Sequence, residues 1–312
     1  MTLQVGIIGA GQVGERHAIA FAATQGAAIA GTADIVEERA AAVAGRYGGV
    51  AVTDWRRLLD LDLDILIVGL PHNMHVEPTE AAAAQGVHVL MEKPIATNME
   101  DGQRIVDLCR AAGVKLTMSF VHRFRDEAQF GKQWLDQGLI GLPQVVRSVM
   151  NAPRKPELPP WVVQKEAAGG GVMMYTAIHA IDRLRWLVGS EVTSVTAQVR
   201  RWDPGSEVED GAVALLTFAN GAVANSTANA PAYWAQPSVW ETEIFGTEGM
   251  LRVTREAVEV SSNRLQTRLE TQSASSRLGQ YYNFVRQAEE FVAAIQEDRE
   301  PAITALDGLK TL

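Results

Sequence analysis

Cysteine is nearly absent: one residue, Cys109, in a chain of 312. A single thiol excludes a disulfide framework and a cysteine-based metal site, and it fits a reducing compartment. Cys109 lies in a helical pattern with Val106 three residues earlier, which reads as a buried, reduced side chain. Long apolar runs are missing as well, since none reaches the ~18 residues that a membrane span requires. Basic charge is in deficit, with 28 Lys and Arg against 37 Asp and Glu and a formal net charge of −9. Such a balance repels nucleic acid and anionic membrane surfaces, so neither is expected as a partner. The small basic pairs Arg123/Arg125 and Arg200/Arg201 read as solvated or structural contacts. The opening MTLQVGIIGAGQVG lacks a basic leader region and is interrupted by glycine, so it does not read as a signal peptide. A cytoplasmic protein is expected. There is no internal repeat and no low-complexity tract.

What is present is ordinary globular material, 47% apolar, and the length suggests two domains. Over the first 120 residues, short apolar runs at 3–8, 27–33, 64–68, 87–91 and 115–120 alternate with alanine-rich helical patterns such as 37–47, 76–84 and 99–112. Near-continuous apolar strands between helices predict a parallel sheet covered on both faces. Asn98 followed by Asp101 reads as a helix N-cap with an acid in the first turn. Beyond residue 120 the rhythm changes. Residues 151–168 (NAPRKPELPPWVVQKEAA) read as a long loop. Alternating β-rich runs follow at 192–202, 212–218, 222–228, 241–245, 250–253 and 258–260, with turn signals in FANGAV and FGTEGML. Residues 261–276 are polar and read as loop; 281–296 reads as an amphipathic helix. The expected class is therefore α/β: an N-terminal doubly wound parallel sheet over 1–120, then an α+β domain over 121–312 with a largely antiparallel open sheet. The helix over 281–296 is free to pack back on the first domain.

The string Gly9-Ala10-Gly11-Gln12-Val13-Gly14 is GxGxxG, weak alone but placed here directly after a strand pattern and at the start of a helix. Asp34 follows Gly14 by twenty residues, at the end of the second strand. That context predicts a dinucleotide site, with the pyrophosphate at the helix N-terminus and Asp34 on the adenosine ribose. A carboxylate there repels a 2′-phosphate, so NAD is favoured over NADP.

Two further strings lie at C-terminal strand ends, the sheet edge where such folds bind ligands. Met91-Glu92-Lys93-Pro94 offers a lysine that can donate to a substrate oxygen, or that is simply a surface lysine; a cis Lys93–Pro94 bond is compatible with the turn. Leu70-Pro71-His72-Asn73-Met74-His75 reads as a cofactor-lining loop. Its two histidines, three apart and without a third ligand, make a poor metal site, and no metal is expected. In GGGVMMYTAIHAID (169–182) a glycine turn feeds a helix. Spacings of four and three put Tyr175, His179 and Asp182 on one helix face, a plausible proton-handling arrangement.

With these residues in view, the chain resembles the glucose–fructose oxidoreductase/inositol dehydrogenase (Gfo/Idh/MocA) family. The resemblance rests on GAGQVG, on LPHNMHVEPTEAAAAQGVHVLMEKPIA (70–96), on Arg123-Phe124 and on the GGG…HAID helix. It implies a Rossmann domain followed by a domain for substrate binding and oligomerisation. It also implies an NAD-dependent dehydrogenase acting on a hydroxyl-bearing carbon of a sugar, polyol or similar small molecule, working as a homo-oligomer, dimer or tetramer. By the same resemblance Lys93 contacts the reacting oxygen, His179 is the general acid/base, and Gly9, Gly11, Gln12, Val13, Gly14, Asp34, Pro71, His72, His75, Glu92 and Lys93 line the cofactor. Leu70 and His72 stand where the family has threonine and asparagine, and Ala177 replaces a frequent glycine.

The largest departure is Tyr175, where the family usually has aspartate. Three readings stand. Tyr175 shapes a substrate pocket while His179 handles the proton; or Tyr175 takes over proton transfer, which needs a nearby cation to lower a phenol pKa of ~10; or the site has changed function. The last would make it an NAD-cycling glycosidase with no net oxidation, or a non-catalytic NAD-binding regulator. Arg123, Trp161 and Asp182 are candidate substrate contacts, although Asp182 is equally suited to pair with Arg123, Arg183 or Arg185. Arg154 and Lys155 either line the pocket with Trp161 or lie in a surface loop. Tyr233 and Trp234 suit a sugar ring or a subunit interface. The resemblance also leads one to expect a stunted or missing final helix around ALDGLKTL.

Overall fold

A computed structural model of the chain describes residues 2–154, 158–231, 238–271 and 281–312. Two compact units emerge: Met1–Val121 with Ser276–Leu312, and His122–Ser275.

The first unit is built on β1 (Leu3–Ile8), β2 (Ala27–Ala33), β3 (Val50–Val52), β4 (Ile65–Val68), β5 (His88–Met91) and β6 (Leu116–Met118). These form one parallel sheet in the order β3-β2-β1-β4-β5-β6. The order reverses direction between β1 and β4, the switch point at which a doubly wound sheet opens a ligand crevice at its C-terminal edge. β4 is ILIV and buried throughout, as a strand covered on both faces must be. The helices α1 (Gln12–Ala23), α2 (Glu37–Tyr47), α3 (Val76–Ala84) and α4 (Met99–Ala112) connect the strands. Asn98 caps α4 as expected, its side chain accepting from the Asp101 N–H at 2.9 Å. Cys109 is buried in α4, and burial pushes its thiol up to about 12. β3 escaped the sequence pattern because it is three residues long and mostly exposed.

The second unit comprises α5 (Asp126–Asp136), β7 (Pro143–Asn151), α6 (Lys165–Ala168), a π-helical turn (Met173–Ala177), α7 (Ile178–Val188), β8 (Val192–Arg200), β9 (Gly211–Phe218), β10 (Val223–Asn229), β11 (Val239–Gly246), β12 (Gly249–Val253), β13 (Ala257–Ser262) and β14 (Gln266–Glu270). Its sheet runs β14-β13-β12-β11-β7-β10-β9-β8. All pairings are antiparallel except β7 with β10. Leu184, Leu187 and Val188 of α7 and Trp134 of α5 pack on one face of it, against Val146, Leu216 and Ile244. On the other face Val145, Val149, Val213, Leu215 and Val223 stand exposed, brought together by the β7–β10–β9 register.

Two strands are absent from the set expected from the sequence. β7 alternates buried Val146, Ser148 and Met150 with exposed Val145, Arg147 and Val149. Valine on both faces and serine on the inner one blur the period-two signal. β14 lies within the stretch read as loop; it is an edge strand whose residues are mostly polar and exposed.

The second domain, drawn as 121–312, is too long by its C-terminal part. α8 (Tyr282–Gln296) and α9 (Ala305–Thr311) belong to the first unit. Phe284, Val285, Ala288, Phe291 and Val292 of α8 share a core with Val5, Ile7, Ala18 and Phe21. An amphipathic stripe shows that a helix needs an apolar partner, but not which one. α9 is a formed helix of seven residues, held by a capping box in which Thr304 and Asp307 bond each other's backbone N–H.

Candidate active site

In the first unit the glycine string turns from β1 into α1. Gly11 is the N-cap, and no side chain caps the helix, so its first-turn N–H groups keep their donors for an anion. A Cβ at Gly14 would lie 1.7 Å from the Gly9 carbonyl oxygen, whereas one at Gly11 would meet nothing within 4 Å. The helix thus packs hard on the turn at Gly14 and leaves open space at Gly11, with Gln12 exposed and Val13 half-buried beside it. Asp34 is half-buried. Its carboxylate accepts from Ala10 N–H at 2.8 Å and Val36 N–H at 2.9 Å, which ties the glycine turn to the end of β2 and leaves acceptor capacity for a ribose hydroxyl. An uncapped helix end, open space over the glycine backbone and an anchored carboxylate fit NAD.

The loops after β4 and β5 are joined by His75. It is fully buried, with Nδ1 3.2 Å from Ile95 O and Nε2 3.1 Å from Leu70 O. Burial pushes its pKa below the ordinary value. Both ring nitrogens face backbone, so His75, expected beside the cofactor, braces the two loops that carry the expected site residues. Pro71 precedes the short turn His72–Met74, and His72 is buried in it. Glu92 braces the same region. It is 8% exposed and pairs with the buried His17 of α1 at 2.8 Å. Burial alone would raise its carboxyl, but the hydrogen bond and charge of His17, helped by Lys93 and Ser119, outweigh that and hold it down at about 2. Lys93 is partly buried and precedes Pro94 across a cis peptide bond. Desolvation pushes its ammonium pKa below the ordinary value; Glu92 opposes this and Arg16 adds to it. A lysine so tuned gives up or shares a proton more readily than a solvated one.

In the second unit the glycine turn leads into the π-helical turn Met173–Ala177 and then into α7. Tyr175 and His179 therefore do not sit on one continuous α-helix as the spacing suggested. A π turn widens the helix locally and re-aims its side chains, and such turns concentrate at functional sites. Glu209 holds the turn. Its carboxylate accepts from Gly171 N–H at 2.8 Å and Met173 N–H at 3.1 Å, and its carbonyl accepts from Val172 N–H at 2.9 Å. A Cβ at residue 171 would lie 1.8 Å from Glu209 O. Tyr175 and His179 are half-buried. Trp161 meets Tyr175 edge to face, with ring centroids 6.3 Å apart at 73°.

Asp182 is expected as a substrate contact or as a partner of Arg123, Arg183 or Arg185. It is fully buried and bonded to Arg123, whose Nε lies 3.1 and 3.0 Å from its two oxygens and whose Nη2 lies 2.5 Å from Oδ1. Arg123, itself 6% exposed, is thus committed to the helix rather than to substrate. Arg154 pairs with Asp203. Lys155, Tyr233 and Trp234 lie outside the described residues.

Three residues escaped the sequence reading. His17 lies three residues past Gly14 and its partner 75 residues on. Glu209 is 38 residues from the turn it holds. His122 stacks on His179, with centroids 4.1 Å apart; the Arg123-Phe124 string already marked its neighbourhood. Among the described residues no group of three or more His, Cys, Asp or Glu could hold a metal ion, and no helix is long and apolar enough to cross a membrane.

Residues 3–120 match the family model for the oxidoreductase family with an NAD-binding Rossmann fold. Residues 129–252 match that of the GFO/IDH/MocA C-terminal domain. Levoglucosan dehydrogenase of Pseudarthrobacter phenanthrenivorans is 30% identical over 285 residues, 80% of this chain and 73% of that protein. The chain belongs to the GFO/IDH/MocA family. Inositol 2-dehydrogenase of Rhizobium meliloti is 26% identical over 321 residues, 100% of this chain and 94% of that protein. A structure of levoglucosan dehydrogenase in complex with NADH and levoglucosan matches all of this chain and 94% of its own, with a TM-score of 0.92 at 26% identity. GFO/IDH/MocA membership makes the first unit an NAD-binding Rossmann domain and the chain an NAD-dependent oxidoreductase.

Proposed function

We propose that this GFO/IDH/MocA oxidoreductase oxidises a hydroxyl-bearing carbon of a sugar or polyol, or reduces the corresponding carbonyl, with Lys93 and His179 as its catalytic residues. The observation that carries the substrate class is the whole-chain similarity to a dehydrogenase that holds both NADH and levoglucosan. Gly11, Gln12 and Val13 at the start of α1 would hold the pyrophosphate, Asp34 the adenosine ribose, and Pro71 and His72 the adjoining turn. NAD, when bound, supplies the acceptor for the hydride that leaves the carbinol carbon. Lys93 donates a hydrogen bond to the reacting oxygen and stabilises the negative charge that gathers there. His179 accepts the hydroxyl proton as a general base and returns it in the reverse direction. The alcohol thereby loses one hydride and one proton and becomes a carbonyl. Tyr175, held edge-on by Trp161, forms a wall of the substrate pocket; that packing supports the pocket reading over proton transfer.

The test is NADH appearance with NAD across a panel of polyols, aldoses, anhydrosugars and inositols. Turnover in the wild type that falls at least a hundredfold in both Lys93→Ala and His179→Ala is the expected result. Normal turnover in both variants would overturn the roles. Release of a leaving group without accumulation of NADH would overturn the dehydrogenase reading in favour of glycoside cleavage. Tyr175→Phe is expected to keep kcat within about threefold; a hundredfold loss would transfer the proton to the phenol.

We further propose a cytoplasmic homo-oligomer. The single buried cysteine supports the compartment, and the exposed valines and leucine of the β7–β10–β9 face support the assembly.

A further inference from the structure

The segment that leads into α5 grips α7 at two successive points. Arg123 holds the Asp182 carboxylate through Nε and Nη2. The residue before it, His122, lies face to face with His179, with ring centroids 4.1 Å apart and planes 18° from parallel. Asp182 and His179 are three residues apart on α7, so they lie on one side of that helix. On its other face His122 meets Trp240 of β11 at 4.3 Å and 36°. The Arg255 guanidinium caps the column, 5.3 Å from the Trp240 ring centre. His122 is 4% exposed.

We infer that His122 is a positioning residue for the reaction, a flat platform that fixes the ring plane of His179. The inference deepens the acid–base role proposed for His179 and rests on it. An imidazole on a helix has two torsions to settle. The helix backbone and rotamer preferences limit the first. The second, which turns the ring, is broad, and it decides where the nitrogens point. A parallel ring on one face narrows that second torsion. Imidazole lone pairs and N–H bonds lie in the ring plane, so a face contact fixes their direction without blocking either nitrogen. Covered on both faces by His179 and Trp240, His122 offers no ring face to substrate; its effect passes through His179. The Arg123–Asp182 pair fixes the helix and His122 fixes the ring it carries. Proton transfer requires heavy atoms at about 2.6–3.2 Å in the right direction, and small errors of orientation cost large factors in rate.

The test compares His122→Phe, which keeps a flat ring, with His122→Leu, which fills the space without one. The probe is levoglucosan, or whichever panel sugar gives the fastest NADH appearance. Expected is kcat within about threefold of wild type for the phenylalanine variant. The leucine variant should lose about tenfold or more in kcat with KM changed less than threefold. A structural role alone would not separate two apolar fillers in this way. Equal kcat in the two variants, high or low, would overturn the inference. A second readout needs no turnover. In ¹³C-histidine-labelled protein the His179 Hε1 resonance, assigned by its loss in His179→Gln, is shielded by the stacked ring. It should move downfield in His122→Leu and stay upfield in His122→Phe; an unmoved peak in the leucine variant overturns the platform. Turnover surviving in His179→Ala overturns the acid–base reading instead, and the peak positions are read independently of it.

Discussion

A single methyl group distinguishes two kinds of glycine here. At residue 171 it would press against Glu209 O at 1.8 Å, so Gly171→Ala must displace either the turn or the Glu209 backbone. Overpacking of that kind costs about 1–3 kcal/mol, and urea denaturation should show it, with kcat falling as the turn before His179 shifts. At residue 11 the methyl meets nothing. Gly11→Ala should therefore leave folding stability within about 0.5 kcal/mol while raising the Kd for NADH at least tenfold, because the methyl enters the space the pyrophosphate needs. Isothermal titration separates the two outcomes. The motif spacing made the second glycine legible. The first required knowledge of what lies across from it, and Glu209 is a distant residue.

At the scale of elements, α7 shows how a local pattern can name the right residues and misjudge their geometry. Tyr175, His179 and Asp182 were all singled out. Packing supplied the π turn before Ile178 and chose Arg123 among the three arginines open to Asp182. Removing that carboxylate leaves a guanidinium buried without its counter-ion, so Asp182→Ala should lose about 3–5 kcal/mol, read from urea midpoints at constant m. The joint between α1 and the loop after β5 carries a pH signature. Glu92 has a folded pKa of about 2 against an ordinary 4.5. A depressed carboxyl stabilises the fold fully above about pH 4.5 and loses that contribution as the pH falls towards 2. The shift corresponds to about 3 kcal/mol. Glu92→Gln should flatten the stability–pH curve in that window, measured by urea unfolding at stepped pH; an unchanged slope would remove Glu92 as the source.

The whole molecule is two units, and the chain returns to the first after building the second. Domain composition is readable from the change of rhythm near residue 120, and the return of α8 is open as an option but not decided, because an apolar stripe carries no address. The open face of the second sheet belongs to this scale too. With five large apolar side chains exposed on it, it exceeds what scattered surface residues explain. Charging it should dissociate the proposed assembly: Val213→Glu with Leu215→Glu is expected to give monomer mass by light scattering, with NADH affinity retained. An unchanged mass would place the interface elsewhere, and a wild-type monomer would remove the proposal.

By itself the sequence determined the Rossmann sheet, the nucleotide turn and the family. Each is written in short-range terms: apolar periods, a glycine spacing, an acid at a strand end, a few strings at strand tips. Tertiary structure decided which side chains support the site. His17 beneath Glu92, Glu209 beneath the glycine turn and His122 against His179 are each paired across 38 residues or more. Nothing in the local pattern of either partner encodes such a pairing; it arises when buried polar groups and flat rings find neighbours only after the strands and helices within each unit have packed.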